Sequence, residues 1–221
     1  GGYADFVLAD AELVFPLPSD DMTFSEAATL PVPGVTAGLL LQGIQPTKSD
    51  WIAIWGTSAA VGYYALQLAK QDGYKVIAIA SGKHQETALK FGADGFVDYR
   101  TEPNVVGAVK KIVQDKAGTM NGALDCIGTN DTFQKCVQMV DALVSPTADS
   151  TKVVSSVMPG PDGDSGVKRA AINLGSDSET TRDFIKMFYP KLFGVVPQPV
   201  PPVKGPVDAP PLQQAFQMNK D

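Results

Sequence analysis

The chain has 221 residues, 44% hydrophobic and 19% charged, the balance of an ordinary globular protein with one sizeable core. Its formal net charge of -6, with no Lys/Arg run longer than a pair, excludes nucleic acid and anionic membrane surfaces as main partners. Two cysteines, Cys126 and Cys136, are too few for a disulfide framework or a four-ligand zinc site, and with no membrane-length apolar run and no signal-peptide pattern predicted, a reducing, cytoplasmic setting is expected.

In chain order, residues 1–18 (GGYADFVLADAELVFPLP) read as strand, like the middle of a β domain, so the chain is expected to be a fragment or a processed product. SEAATLP and GVTAGLLLQG read as two short helices. From Trp51 onward strands and helices alternate. WIAIW (51–55) is a strand, and the helix after it carries Val61, Ala65, Leu68 and Ala69 on one stripe. KVIAIA (75–80) is a strand, followed by a short helix with Ala88 and Phe91 inward and Gly92 as its stop. GFVDY (95–99) is a strand; Val105, Val106, Val109, Ile112 and Val113 then mark a helical face. GALDCI (122–127) is a strand, and Phe133, Cys136, Val137 and Val140 are in register for the next helix, so buried, reduced thiols are expected. TKVVSSV (151–157) and RAAINL (169–174) are the last strands. A late helix carries Ile185, Phe188 and Leu192, with Thr180 and Asp183 spaced like a capping box. The proline-dense 197–211 is a surface or edge segment, and PLQQAFQMNKD a final short helix. Such alternation implies right-handed crossovers and a doubly wound, mostly parallel α/β sheet covered on both faces.

The junction WGTSAAVG (55–62) is the first candidate site. A dinucleotide site needs a strand end, a sharp turn and a helix start whose free N–H groups face the pyrophosphate. Gly56 closes the strand and Gly62 follows six residues later, with Ala59 at the middle position usually held by glycine. Thr57 and Ser58 add hydroxyl donors, and Ala60 and Val61 complete the turn. Small residues at such a junction also serve close packing alone, so the motif leaves both roles open.

The end of the second strand bears on the choice of nucleotide. An NAD site places an acid there for the ribose hydroxyls; this chain reads Ser81, Gly82, Lys83, His84. Hydroxyl and ammonium groups would attract a 2′-phosphate that a carboxylate would repel, which favours NADP(H); a solvated lysine at a helix start is the other account. His84, the only histidine, fits a surface position beside that phosphate better than a catalytic base.

Taken in order, TLPVPGVTAGLLLQ, WIAIWGTSAAVGYYALQLAK, KVIAIASGKHQETALKFGADGFVDYR and GALDCIG resemble the medium-chain dehydrogenase/reductase superfamily. Within it the likeness is to the zinc-free branch of quinone oxidoreductases and fungal trans-acting enoyl reductases. The resemblance implies a Rossmann-like cofactor domain over 31–195, an incomplete end of a GroES-like β catalytic domain over 1–30, and a proline-rich start of the return to that domain over 196–221. By the same resemblance Gly56, Thr57, Ser58, Ala59, Ala60, Val61 and Gly62 surround the pyrophosphate, and Ser81, Lys83 and His84 the 2′-phosphate. Tyr99 contacts the adenosine end, Ile127 and Gly128 lie near the nicotinamide ribose, and Thr36 lies near nicotinamide and substrate as the catalytic candidate. On the residues alone, Tyr99 is as well explained by packing at the sheet edge and Thr36 by helix capping.

Pro33 stands where zinc-dependent members carry a cysteine ligand, so no metal is expected. Asp125 reads as a backbone partner for the turn after its strand rather than a base. The function implied is NADPH-dependent reduction of an activated double bond in a small-molecule or acyl-thioester substrate, with little activity from this chain alone and a homodimer through an edge strand. A carbonyl, alcohol or quinone reductase on the same scaffold and a non-catalytic nucleotide-binding module are the alternatives.

Overall fold

The structure, a computed structural model, describes residues 6–17, 20–44, 51–143, 153–157, 168–171, 179–197 and 199. Two helices lead in, α1 (Phe24–Ala27) and α2 (Pro31–Ile44). The alternating unit then runs β1 (Trp51–Trp55), α3 (Ala60–Gln71), β2 (Lys75–Ala80), α4 (Gln85–Lys90), β3 (Gly95–Asp98), α5 (Val105–Asp115), β4 (Met120–Asp125), α6 (Asn130–Leu143), β5 (Val153–Ser156), β6 (Lys168–Ala171) and α7 (Glu179–Phe188). All six strands are parallel, in the order β3-β2-β1-β4-β5-β6. This is the doubly wound order expected from the alternation, and the order reverses between β1 and β4.

Strand alternation assigns the two faces. Ile52, Ile54, Val76, Ala78 and Leu124 pack with α2, α3 and α7 on one side; Trp51, Ala53, Trp55, Ile77 and Ile79 pack with α5 and α6 on the other. On α5, Val105, Val109 and Val113 are buried, and on α6, Phe133, Cys136, Val137 and Val140, as their spacing predicts. Each such side chain contributes roughly 1.5–3 kcal/mol by leaving water. Gly34 and Gly38, one turn apart on α2, leave flat places that Leu192 and the Phe188 ring fill.

Three expectations need correction. Residues 6–17 form no strand: Asp10 accepts the N–H of Glu12 at 3.0 Å and caps a 3-10 turn over Ala11–Leu13. That local bond competes with extended backbone, and Asp10 and Glu12 then pair with Arg182 and Lys186, one turn apart on α7. The helix expected to start at the Thr180–Asp183 capping box, α7, begins one residue earlier, at Glu179. A capping box occurs at Thr23 and Glu26, whose backbone N–H groups each donate to the other's side chain at 2.9 and 3.2 Å. Finally, the 21-residue stretch Phe24–Ile44 is long and apolar enough to cross a membrane, contrary to the expectation that no run is. Here much of its apolar surface serves as core: Val35, Ala37, Leu40, Leu41 and Ile44 of α2 are buried with α3, while Phe24 and Val32 are exposed. The prolines beyond 199, the final helix, and residues 1–5, 151–152 and 172–174 of the expected strands lie outside the described residues.

Both cysteines are free and buried, and loss of hydration pushes both thiols up, Asp125 adding a smaller effect in the same direction. A thiol-specific chromogenic reagent should therefore label neither Cys126 nor Cys136 in the native chain within minutes and both in denaturant; fast labelling of the native chain would contradict the packing of β4 against α6.

Candidate functional site

The site is built where the sheet order reverses. Gly56 leaves β1 with φ of 84°, a left-handed conformation that favours glycine. Its N–H and that of Thr57 donate to the Ile79 carbonyl of β2 at 2.9 and 3.3 Å, which ties the turn to the neighbouring strand. Gly62 lies so close to that turn that a Cβ on it would overlap the Gly56 carbonyl. The two glycines thus allow a tight turn and close helix–strand packing together. Ala59 is the N-cap of α3 and its side chain caps nothing, so the first-turn N–H groups of Ala60, Val61 and Gly62 are left to other acceptors. Ser58 and Ala59 are half-buried and Ala60 is exposed, so this helix start is open to solvent. Thr57 is buried, and among the described residues its hydroxyl oxygen has no hydrogen-bond partner.

Across the reversal, Asp125 closes β4 and organises the facing loop. It is fully buried; Oδ1 accepts the N–H groups of Ile127 and Gly128, both at 3.0 Å, and Oδ2 the hydroxyls of Thr132 and Ser156 at 3.1 and 3.4 Å. The turn it holds needs Gly128 at φ of 80° and leaves Ile127 44% exposed. A Cβ on Gly56 would stand 2.7 Å from Ile127 Cδ1, so the two loops expected to share a ligand do meet.

A cleft of about 450 Å³ opens beside the turn, between α3 and α4. Thr57, Ser58, His84 and Lys90 give it polar lining, while Tyr63, Leu66 and Phe91 supply apolar walls. Ser81 is buried and begins the 3-10 turn Gly82–His84, and Lys83 is exposed. Partial burial, then the positive charges of Lys83 and Arg100, hold the His84 imidazole below its ordinary protonation range. Lys83 and Arg100 thus bring two positive charges close to this ring. Lys90 and Arg100 lie inside the stretch 75–100 but carry no role read from the sequence; the fold puts Lys90 in the cleft lining with Thr57 and His84, and Arg100 close enough to His84 for its charge to act on the ring. Tyr99 is 43% exposed and tilts against Trp55, ring centres 6.3 Å apart, so it both packs and stays reachable. Thr36 is elsewhere. It is buried in mid-α2, with Oγ1 donating to the Val32 carbonyl at 2.6 Å, and it neither caps the helix nor lines this cleft.

Sheet order, glycine turn and open helix start define a Rossmann-like α/β domain of the dinucleotide type. Comparison with known proteins agrees. The family model described as "Zinc-binding dehydrogenase" matches residues 60–142. The chain is similar to a trans-enoyl reductase of Aspergillus niger, 36% identical over 152 residues, covering 62% of this chain and 40% of that protein. It is also similar to a trans-enoyl reductase of Aspergillus terreus, 38% identical over 122 residues, covering 50% and 40%. Among solved structures, a quinone oxidoreductase of Pseudomonas syringae matches with a TM-score of 0.62 at 24% identity, over 79% of this chain and 54% of that one. The Escherichia coli quinone oxidoreductase complexed with NADPH matches at 0.60 and 21%, over 78% and 53%. These likenesses support the resemblance to the medium-chain dehydrogenase/reductase superfamily, in its cofactor-domain region. It spans 40% of the length of these two curated relatives.

Asp125→Ala would strip four donors of their acceptor inside the core and should cost about 3 kcal/mol or more of stability. Asp125→Asn keeps an acceptor for part of the set and should cost less. Urea denaturation of both variants checks the order, and equal, negligible losses would show that the carboxylate does not hold the loop.

Proposed function

We propose that this chain binds NADP(H) and forms the cofactor half of a reductase acting on an activated double bond of the enoyl-thioester or quinone type. One observation carries the reading: the unpartnered, buried Thr57 hydroxyl stands inside a turn shaped by Gly56 and Gly62, at an uncapped helix start. A buried hydroxyl without a partner costs stability, and a phosphate oxygen would remove that cost. The relatives named trans-enoyl reductases and the neighbour complexed with NADPH support the chemistry and the cofactor.

The residues fit the group. Ala60, Val61 and Gly62 would donate backbone N–H groups to the pyrophosphate, and Ser58 and Thr57 their hydroxyls, Thr57 after rotation about its Cα–Cβ bond. Ser81, Lys83 and His84 would hold the 2′-phosphate, with Arg100 adding positive charge. Tyr99 would lie along the adenosine, and Ile127 and Gly128 along the nicotinamide ribose. When bound, the nicotinamide supplies the hydride. The chain's own part is to bind and orient the cofactor at the reversal of the sheet, with Asp125 keeping the Ile127–Gly128 loop in place. Thr36 is kept as the candidate near the substrate, a role that requires its hydroxyl to leave the Val32 carbonyl. The reading is zinc-independent, because Pro33 occupies the position assigned to a ligand. Residues 1–30 and 196–221 are proposed to belong with a catalytic domain, residues 31–195 with the cofactor domain, and the compartment is proposed to be cytoplasmic.

Calorimetric titration of the 221-residue chain with NADPH and NADH tests the reading, with NADPH binding expected and a failure to bind either dinucleotide overturning it. Thr57→Val should move stability and binding in opposite directions. The melting temperature should rise by a few degrees as an unsatisfied hydroxyl leaves the interior, and NADPH should bind roughly tenfold more weakly. A variant that is destabilised and binds normally would show that Thr57 has no part in the site.

Because His84 is the only histidine, its ring resonances can be followed alone by NMR. In the free chain it should titrate below 6.5, and 2′,5′-ADP should move the midpoint up, since a phosphate dianion favours the imidazolium that Lys83 and Arg100 disfavour. A midpoint indifferent to 2′,5′-ADP would place the phosphate away from His84.

A further inference from the structure

The end of β2 lacks the acid that reads ribose hydroxyls in sites of this type, but the neighbouring strand brings one to the same place. Asp98 closes β3 and is the register partner of Ala80, the last residue of β2. Adjacent strands lie about 4.8 Å apart, so the Asp98 side chain starts one strand's width from the vacant position. It then leans toward the β2 loop. Its Oδ2 lies 2.5 Å from the point where a Cβ on Gly82 would stand, so the absent side chain of Gly82 is what makes room for the carboxylate. Its Oδ1 accepts the Arg100 N–H at 2.9 Å, which fixes the rotation of the group. Asp98 is only half-buried, so this end of the sheet holds an accessible carboxylate beside Gly82 and the Arg100 backbone, with Lys83 and His84 following Gly82 in the chain.

From this juxtaposition we propose that Asp98 supplies the ribose-reading carboxylate across the strand boundary and thereby limits the preference for NADP(H) over NAD(H). The inference rests on the dinucleotide reading above. Two sets of groups act in opposite directions at one spot. Lys83, His84 and Arg100 attract a 2′-phosphate; Asp98 repels it and accepts a hydrogen bond from a free 2′-hydroxyl. The chain accordingly binds both dinucleotides, and the carboxylate sets how far the balance tips.

Asp98→Asn isolates the charge, because the amide keeps the size of the side chain and an oxygen for the Arg100 N–H. Dissociation constants for NADPH and NADH are measured on wild type and variant by calorimetry, with melting temperatures to confirm that both are folded. Removing one unit charge at contact range should shift the NADPH-to-NADH affinity ratio toward NADPH by roughly fivefold or more. Asp98→Ser, whose hydroxyl can also accept the Arg100 N–H, should shift it the same way and serves if the asparagine variant does not fold. A ratio that stays within about twofold of wild type in the folded variant overturns the role of Asp98 while leaving cofactor binding intact. A wild-type chain that binds neither dinucleotide overturns the dinucleotide reading, and this inference with it.

Discussion

The contact on which the rest depends is the approach of Gly62 to the Gly56 carbonyl. No side-chain carbon fits between them, so α3 starts almost on top of the end of β1. The closeness is possible only because Gly56 takes a left-handed turn and Gly62 presents bare backbone to it. With those two residues in place, the first N–H groups of α3 are delivered to the point where the sheet order reverses. Ala59 at the middle position does not disturb this: it sits in an extended conformation at the cap, where a methyl group is accommodated. An alanine for the fingerprint's middle glycine is thus compatible with the turn itself.

Two buried polar side chains on opposite sides of the reversal show how the same physics serves different ends. Asp125 is a charge in the core, tolerable because four donors converge on it, and its effect is to hold a loop. Thr57 is a neutral hydroxyl one turn away from β1 that finds no acceptor among the described residues. The satisfied network acts as a scaffold; the unsatisfied hydroxyl is the observation on which the proposed phosphate contact rests. Beyond β2, Lys83 and Arg100 stand near His84, and the carboxylate that closes β3 reaches toward Gly82 of the same loop.

Away from the site, packing of small residues against large ones locks the sheet's helical cover. Phe188 and Leu192 rest on the glycines of α2, Phe15 stacks on Tyr189 with ring centres 4.1 Å apart, and the acidic turn at Asp10 and Glu12 pairs with the basic side chains of α7. A segment with the look of a strand is thereby held as a turn. The amide of Gln67 on α3 both donates to and accepts from the Val196 backbone, at 3.2 and 2.7 Å, fastening the chain beyond α7 beside the cleft.

The sequence by itself determined the alternation of strands and helices, the apolar faces of α5 and α6, the buried thiols and the small-residue turn after Trp55. Each is encoded in residues close along the chain, where periodicity and glycine placement act directly. The capping box at Thr23 and Glu26 is equally local, since its two residues stand three apart in the chain. Only the tertiary structure decided the rest. A strand needs a partner ladder, and residues 6–17 find charged side chains on α7 in its place. The role proposed for Thr57 rests on a missing partner, the nearness of Arg100 to His84 on the packing of β3 beside β2, and the position of Asp98 on a register between two strands 18 residues apart at Ala80 and Asp98. None of these can be read from neighbours in sequence, because each is a relation between surfaces that meet only once the sheet has formed.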